Sequence, residues 1–236
     1  MAKISISGED YVFVLTGAGI SAESGLPTFR AEDGLWAGNR IEDVCTPEAW
    51  DRNPWRVWEF YAARRAAGAR ALPNAGHIAL AELEACLGSR FFLCTQNVDD
   101  LHERAGSKNL LHMHGELSKA HCENDCGAPP VEDRAIYKDL SEVGRCGCGG
   151  RLRPHIVFFG EMPLEMNRIQ REIQKASLML VIGTSGSVYP AASFVHWART
   201  GGARTVYIGP EPPLNASAFT HVVEGKAGET LPALFQ

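Results

Sequence analysis

Five short runs of apolar and β-branched residues constrain the fold more than any other feature of the chain: Tyr11-Val-Phe-Val-Leu15, Phe91-Phe-Leu-Cys94, Ile156-Val-Phe-Phe159, Leu178-Met-Leu-Val-Ile182 and Thr205-Val-Tyr-Ile208. None alternates with polar residues, so each reads as a strand buried on both faces. Between several of them lie patterns of helical period, at 75–86, 164–176 and 191–200. Strands alternating with helices predict a mainly parallel sheet covered on both sides, a doubly wound α/β domain. Two stretches break the alternation. Residues 31–71 are rich in Trp and Arg, and residues 119–154 hold a cysteine cluster and little apolar sequence. Read as insertions, they give a smaller lobe. The chain then divides into a discontinuous main domain (1–32, 72–118 and 155–236), a helical insertion (33–71) and a metal module (119–154).

At 236 residues and 45% apolar, the chain is long enough to bury a large core, and disorder is not expected. Its net charge of -5 offers no basic stripe for a run of phosphates, which argues against nucleic acid as a partner. No apolar run approaches the roughly 20 residues that span a bilayer, and no basic-then-apolar leader opens the sequence. A soluble, cytoplasmic, monomeric protein is the expectation. Of seven cysteines, Cys45, Cys86 and Cys94 are isolated, and the other four fall at Cys122, Cys126, Cys146 and Cys148. Two pairs about twenty residues apart match the spacing of zinc modules. An insert so poor in apolar residues needs a metal to hold it, so structural zinc on four thiolates is the expectation. The Cys-x-Cys pair is one residue shorter than usual, which leaves His121 or His155 as alternative ligands.

Directly after the first run comes Gly17-Ala-Gly19-Ile-Ser-Ala22, which satisfies the dinucleotide fingerprint of a Rossmann-like domain. Glycines here would let backbone N–H groups approach a pyrophosphate, aided by a helix starting near Ser21. The plain alternative is a tight strand-to-helix turn. A dehydrogenase would next show a second strand ending in an acid about 20 residues on. Instead Glu23-Ser-Gly-Leu-Pro-Thr-Phe-Arg30 follows, a loop that would cover the reactive end of the ligand.

Beyond that loop, Thr95-Gln-Asn-Val-Asp99, His114-Gly115, Phe159-Gly-Glu161 and Gly183-Thr-Ser185 follow in order. Together with Gly17 to Arg30 they make the chain resemble the sirtuin family nearly end to end. That resemblance implies NAD as a consumed co-substrate, touched by Gly17, Ala18, Gly19, Ile20, Phe29, Arg30 and Trp36. Asn97 and Asp99 would line the nicotinamide pocket, Asp99 meeting the carboxamide, with Gln96 near the ribose and Val98 also against the cofactor. From sequence alone Asp99 equally suits the cap of a helix at 100–105. Gly183, Thr184, Ser185, Gly209, Pro210, Glu211 and Ala227 would meet the adenosine half. One departure stands out: Gly209-Pro-Glu211 replaces a family Asn-x-Glu, and glycine can offer only backbone there.

His112 and His114 lie two apart on an extended segment and so face the same side, which leaves their roles open by periodicity. The family His-Gly pair selects His114 as the base for a ribose hydroxyl, a task that suits an imidazole near neutrality. The implied reaction has the acyl-lysine carbonyl oxygen attack the ribose carbon as nicotinamide leaves. It yields free lysine and 2'-O-acyl-ADP-ribose without a protein nucleophile, so Cys94 reads as a small buried residue. ADP-ribosyl transfer or NAD hydrolysis on the same fold is the alternative.

Val157 and Phe158 match the family segment that pairs with a substrate peptide as an added strand. In Trp55-Arg-Val-Trp-Glu-Phe-Tyr-Ala-Ala-Arg64, Tyr61 and Arg64 are three apart and share a helix face. On spacing alone they are a core tyrosine and a solvated arginine. Tyr-x-x-Arg here resembles the class III sirtuins, which implies selection of succinyl and malonyl groups by guanidinium and phenol.

Overall fold

In the computed structural model of the chain, residues 4–28, 35–36 and 38–234 are described. Phe29 and Arg30 lie outside the described residues, as does the side chain of Trp36. Six parallel strands form the main sheet in the spatial order His221–Glu224, Arg204–Gly209, Leu178–Ile182, Val12–Thr16, Phe91–Thr95 and Leu110–His112. Along Val12–Thr16 every side chain is buried, because the two faces feed two separate cores. Val12 and Val14 pack with Leu80, Leu83 and Leu231 under the helices Ala75–Leu87 and Ala227–Leu234. Phe13 and Leu15 pack with Ile169, Ile173 and Phe194 under Met166–Lys175 and Phe194–Thr200. This is the expected doubly wound arrangement.

The run at 156–159 departs from expectation. The strand there is Leu152–Ile156, and it pairs antiparallel with Gly115–Cys122 in a separate three-stranded sheet completed by Val131–Glu132. Pro154 and the Arg153–Glu161 ion pair, 2.8 Å, belong to this smaller sheet and not to a strand buried on both faces. The edge strand His221–Glu224 escaped the sequence reading because its residues are mostly exposed and two are charged or ionisable.

Within the 33–71 insertion, Thr46 and Asn53 cap successive helices, Pro47–Arg52 and Pro54–Arg70, each with proline at its first position. The long helix buries Val57, Trp58, Phe60 and Tyr61. They form a third core with Leu117, Ala120, Ile156 and Phe158 of the antiparallel sheet, so insertion and metal module make one lobe. Arg65 ties the two with a bond to the Leu117 carbonyl and a buried pair with Asp133 at 3.3 Å.

The junction of lobe and sheet runs through Gly115, at φ +86, where a Cβ would overlap the carbonyl oxygen of His155. Left-handed backbone plus overpacking should make Gly115→Ala cost at least about 2 kcal/mol. Chemical denaturation should show a lower midpoint, and an unchanged midpoint would contradict the close approach.

Candidate active site at the switch point

From Val12–Thr16 the chain winds to Phe91–Thr95 and Leu110–His112 on one side, then returns to build Leu178–Ile182 and beyond on the other. The direction of winding therefore reverses between Val12–Thr16 and Leu178–Ile182, where open α/β sheets bind ligands at their carboxyl ends. Two glycine loops cross at that point. A Cβ on Gly19 would lie 2.6 Å from the Gly183 Cα, and one on Gly17 would lie 2.8 Å from the Gly183 oxygen. Gly17 N–H donates to Ile182 O at 2.9 Å and Gly19 N–H to Gly183 O at 2.8 Å. These glycines are thus required by loop-to-loop contact, and their N–H groups are spent on protein. A seven-residue 3-10 helix, Ala18–Ser24, takes the place of the expected α-helix. Ile20 is fully buried in the first core, its N–H bonded to Gly17 and its carbonyl to Asn74 Nδ2. Glu23 anchors the loop by accepting the Gly228 N–H at 2.7 Å, close to Ala227 at the start of the last helix.

Gln96, Asn97 and Asp99 sit at the carboxyl end of Phe91–Thr95, where a buried polar network fixes them. Asn97 Nδ2 donates to Ser21 Oγ at 3.1 Å, and Ser21 Oγ donates to Asp99 Oδ2 at 3.2 Å. Asp99 also performs the capping role, its Oδ1 accepting the Leu101 N–H at 3.2 Å. Burial raises the Asp99 pKa against the lowering effect of those bonds. His77 accepts the Asn74 N–H at Nδ1 and so presents Nε2–H toward Ser21, 3.4 Å away; burial pushes its pKa down to about 4. Thr16 Oγ1 donates to Thr95 Oγ1 at 2.8 Å, which in turn receives the Asn97 N–H. Ser21, His77 and the threonine pair were not singled out from sequence. Only their polarity beside the glycine loop and within buried strands marks them.

The two histidines separate by their partners. His112 ends its strand with Nδ1 2.8 Å from the Asn97 carbonyl and Nε2 2.7 Å from Glu103 Oε1, so both ring nitrogens are occupied. His114 lies in the turn that follows, its Nδ1 3.2 Å from the Gln96 carbonyl. A carbonyl accepts only, so Nδ1 carries the proton and Nε2 is left as the acceptor. Burial lowers the His114 pKa below its ordinary value, opposed by the bond to Gln96.

Tyr61 is fully buried against Phe158, rings 6.3 Å apart, and donates its hydroxyl to Cys45 Sγ at 2.9 Å. The Arg64 guanidinium lies 5.3 Å from the Phe60 ring centroid. Its pKa is lowered by burial and raised again by Tyr61, Cys45 and Asp99. Val157 and Phe158 already donate their N–H groups, to the His114 carbonyl at 3.0 Å and to Glu161 Oε2 at 2.7 Å. Thr184 is half-buried and Ser185 exposed beside the crossing, with Pro210 and Glu211 exposed at the end of the neighbouring strand. Val98 accepts the Leu117 N–H at 2.8 Å and packs against the third core.

Cys122, Cys126, Cys146 and Cys148 bring all four sulfurs within 4.8 Å of one another. The closest pairs, Cys122–Cys148 at 3.4 Å and Cys126–Cys146 at 3.5 Å, are too far apart for disulfides. Zinc–sulfur bonds of about 2.3 Å imply tetrahedral sulfur separations of roughly 3.8 Å, which these thiols approach. The short Cys-x-Cys spacing is accommodated by a turn in which Gly149 donates to the Cys146 carbonyl. His121 and His155 are not in the cluster; they pair with each other, Nδ1 to Nδ1 at 3.3 Å. The donor set fits a closed structural zinc site, remote from His114 in role.

Together these features define a dinucleotide-binding class with a buried polar network beside the crossed glycine loops and a lobe that carries a four-thiol metal site. A model described as the Sir2 family matches residues 17–190. An NAD-dependent protein deacylase of Caulobacter vibrioides is 51% identical over 225 residues, covering 94% of each chain. The crystal structure of a Sir2 homolog–NAD complex superposes with a TM-score of 0.86 at 42% identity, over 96% of this chain and 89% of that one. A Sir2–p53 peptide–NAD+ structure gives 0.81 at 29% identity, over 96% and 93%. The chain belongs to the Sir2 family. Among the described residues no helix is long and apolar enough to cross a membrane.

Metal analysis of protein purified without chelator should give one zinc per chain. Stripping it with a strong chelator should unfold the 119–154 module, read as a loss of amide-exchange protection there, while the parallel sheet stays protected.

Proposed function

We propose that the protein is an NAD-dependent protein-lysine deacylase that prefers succinyl and malonyl groups over acetyl, releasing nicotinamide, free lysine and 2'-O-acyl-ADP-ribose. The observation that carries the reading is His114: its Nδ1–H is fixed on the carbonyl of Gln96, a residue of the loop that also holds Asn97 and Asp99, which leaves Nε2 as the acceptor. The similarity to a curated NAD-dependent protein deacylase supports the class of reaction. NAD supplies an electrophilic ribose carbon and a leaving group. The chain's own part is to orient the carboxamide through Asn97 and Asp99 and to take a ribose hydroxyl proton at His114 Nε2. Main-chain groups near Val157 and Phe158 would align the peptide. The division into a cofactor-binding domain, 1–32, 72–118 and 155–236, with inserts 33–71 and 119–154, belongs to the same reading. So does a monomer acting in a reducing, cytoplasmic compartment.

Acyl preference rests on Tyr61 and Arg64. A thiol sulfur is a weak acceptor, so the Tyr61 hydroxyl gains by exchanging Cys45 for a carboxylate. The guanidinium, kept charged at any working pH, offers a planar fork to the same carboxylate. A charge-assisted bond of about 1.5–3 kcal/mol corresponds to roughly 10–100-fold in rate. Mass spectrometry of free lysine peptide should show succinyl and malonyl peptides beating acetyl. Arg64→Met should cut the succinyl-to-acetyl ratio at least about tenfold, and an unchanged ratio would refute the assignment. His114→Tyr should lower turnover of all three by about 100-fold or more.

A depressed pKa on a base places its rate loss on the acid side. With His114 lowered from the ordinary 6.5, kcat/KM should be flat at neutral pH and fall only as pH drops through a value below 6.5. An acid limb centred above 6.5 would contradict it.

A further inference from the structure

Gly209 ends the strand beside Gly183, whose N–H bonds the Ile208 carbonyl at 2.9 Å. It lacks a side chain, and its carbonyl is taken by the Gly225 N–H at 2.9 Å. At that position the chain therefore has little left to offer a ligand. Tyr207 lies two residues earlier and projects on the same face. A Cβ built on Gly209 would overlap the Tyr207 hydroxyl and lie 2.7 Å from Cζ and 2.9 Å from Cε1. The ring thus runs along the strand toward its carboxyl end, and the hydroxyl fills the space that a side chain at 209 would occupy.

Tyr207 is only 3% exposed, packed edge-on against Phe219 with centroids 5.6 Å apart. A buried phenol ordinarily finds a hydrogen-bond partner. Among the described residues the Tyr207 hydroxyl makes none, and yet it is not among the unpaired polar atoms fully enclosed by protein. It lies against Gly209 at the carboxyl end of its strand, one residue beyond the Ile208 carbonyl that receives the Gly183 N–H.

We propose that Tyr207 is a cofactor-binding residue, its hydroxyl hydrogen-bonding the adenosine half of the dinucleotide in place of any side chain at position 209. Tyrosine at 207 and glycine at 209 are then one paired feature: the phenol supplies the polar group, and the missing Cβ makes room for it. This rests on the NAD-dependent reading of the site and refines it.

The test is Tyr207→Phe in the full-length zinc-bound protein. Titration calorimetry with ADP-ribose should show Kd raised about three- to tenfold, the worth of one neutral hydrogen bond. KM for NAD should rise in parallel with kcat unchanged. Because the hydroxyl bonds no protein group, the melting temperature should stay within a degree or so of the parent. A Kd within twofold of the parent would overturn the proposal while leaving NAD-dependent turnover intact, whereas a parent protein without NAD turnover would overturn the underlying reading. A second arm tests the pairing. Gly209→Ala should lower the melting temperature in the parent and much less in a Tyr207→Val background; equal losses would refute the shared space.

Discussion

The contact of Gly19 with Gly183 is the constraint from which the site follows. Two loops leave adjacent parallel strands at the point where the winding reverses, and they can cross there only because neither carries a side chain. Once crossed, they are locked by Gly17 and Gly19 N–H bonds to Ile182 and Gly183. That lock holds the Ala18–Ser24 turn over the carboxyl edge and delivers Ser21 to Asn97 and Asp99. The usual account of such glycines, that their amides cradle a phosphate, does not describe Gly17 and Gly19. Their role is to let backbone meet backbone.

Around this crossing the polar groups are deeply buried and therefore need complete hydrogen bonding. The network of Ser21, Asn97, Asp99, His77 and the two threonines supplies most of it, drawn from three separate segments of chain. The same logic sorts the histidines. His112 is a bracket between the Asn97 carbonyl and Glu103, and His114, held at one nitrogen only, retains the acceptor that a base requires. Their neighbourhoods differ more than their sequence positions suggest.

The smaller lobe is a joint product of two insertions, neither of which buries enough apolar surface alone. Helix Pro54–Arg70 lends Trp58 and Tyr61 to a core that the antiparallel sheet completes with Ile156 and Phe158, and the thiol cluster closes the distal end.

Local chemistry fixed a good deal before any fold was known. An uninterrupted apolar run such as Leu178–Ile182 fits a strand buried on both faces, and two spaced cysteine pairs in a polar insert fit a metal site. Those signals are short-range, so they survive in a linear reading. Tertiary structure decided what depends on segments meeting. It removed Ile156 from the parallel sheet, because that strand pairs with Gly115–Cys122. It separated His112 from His114, because carbonyls and a carboxylate from other segments choose among identical rings. It also explained Gly209, since the reason for a residue without a side chain lies in the Tyr207 ring that fills its place.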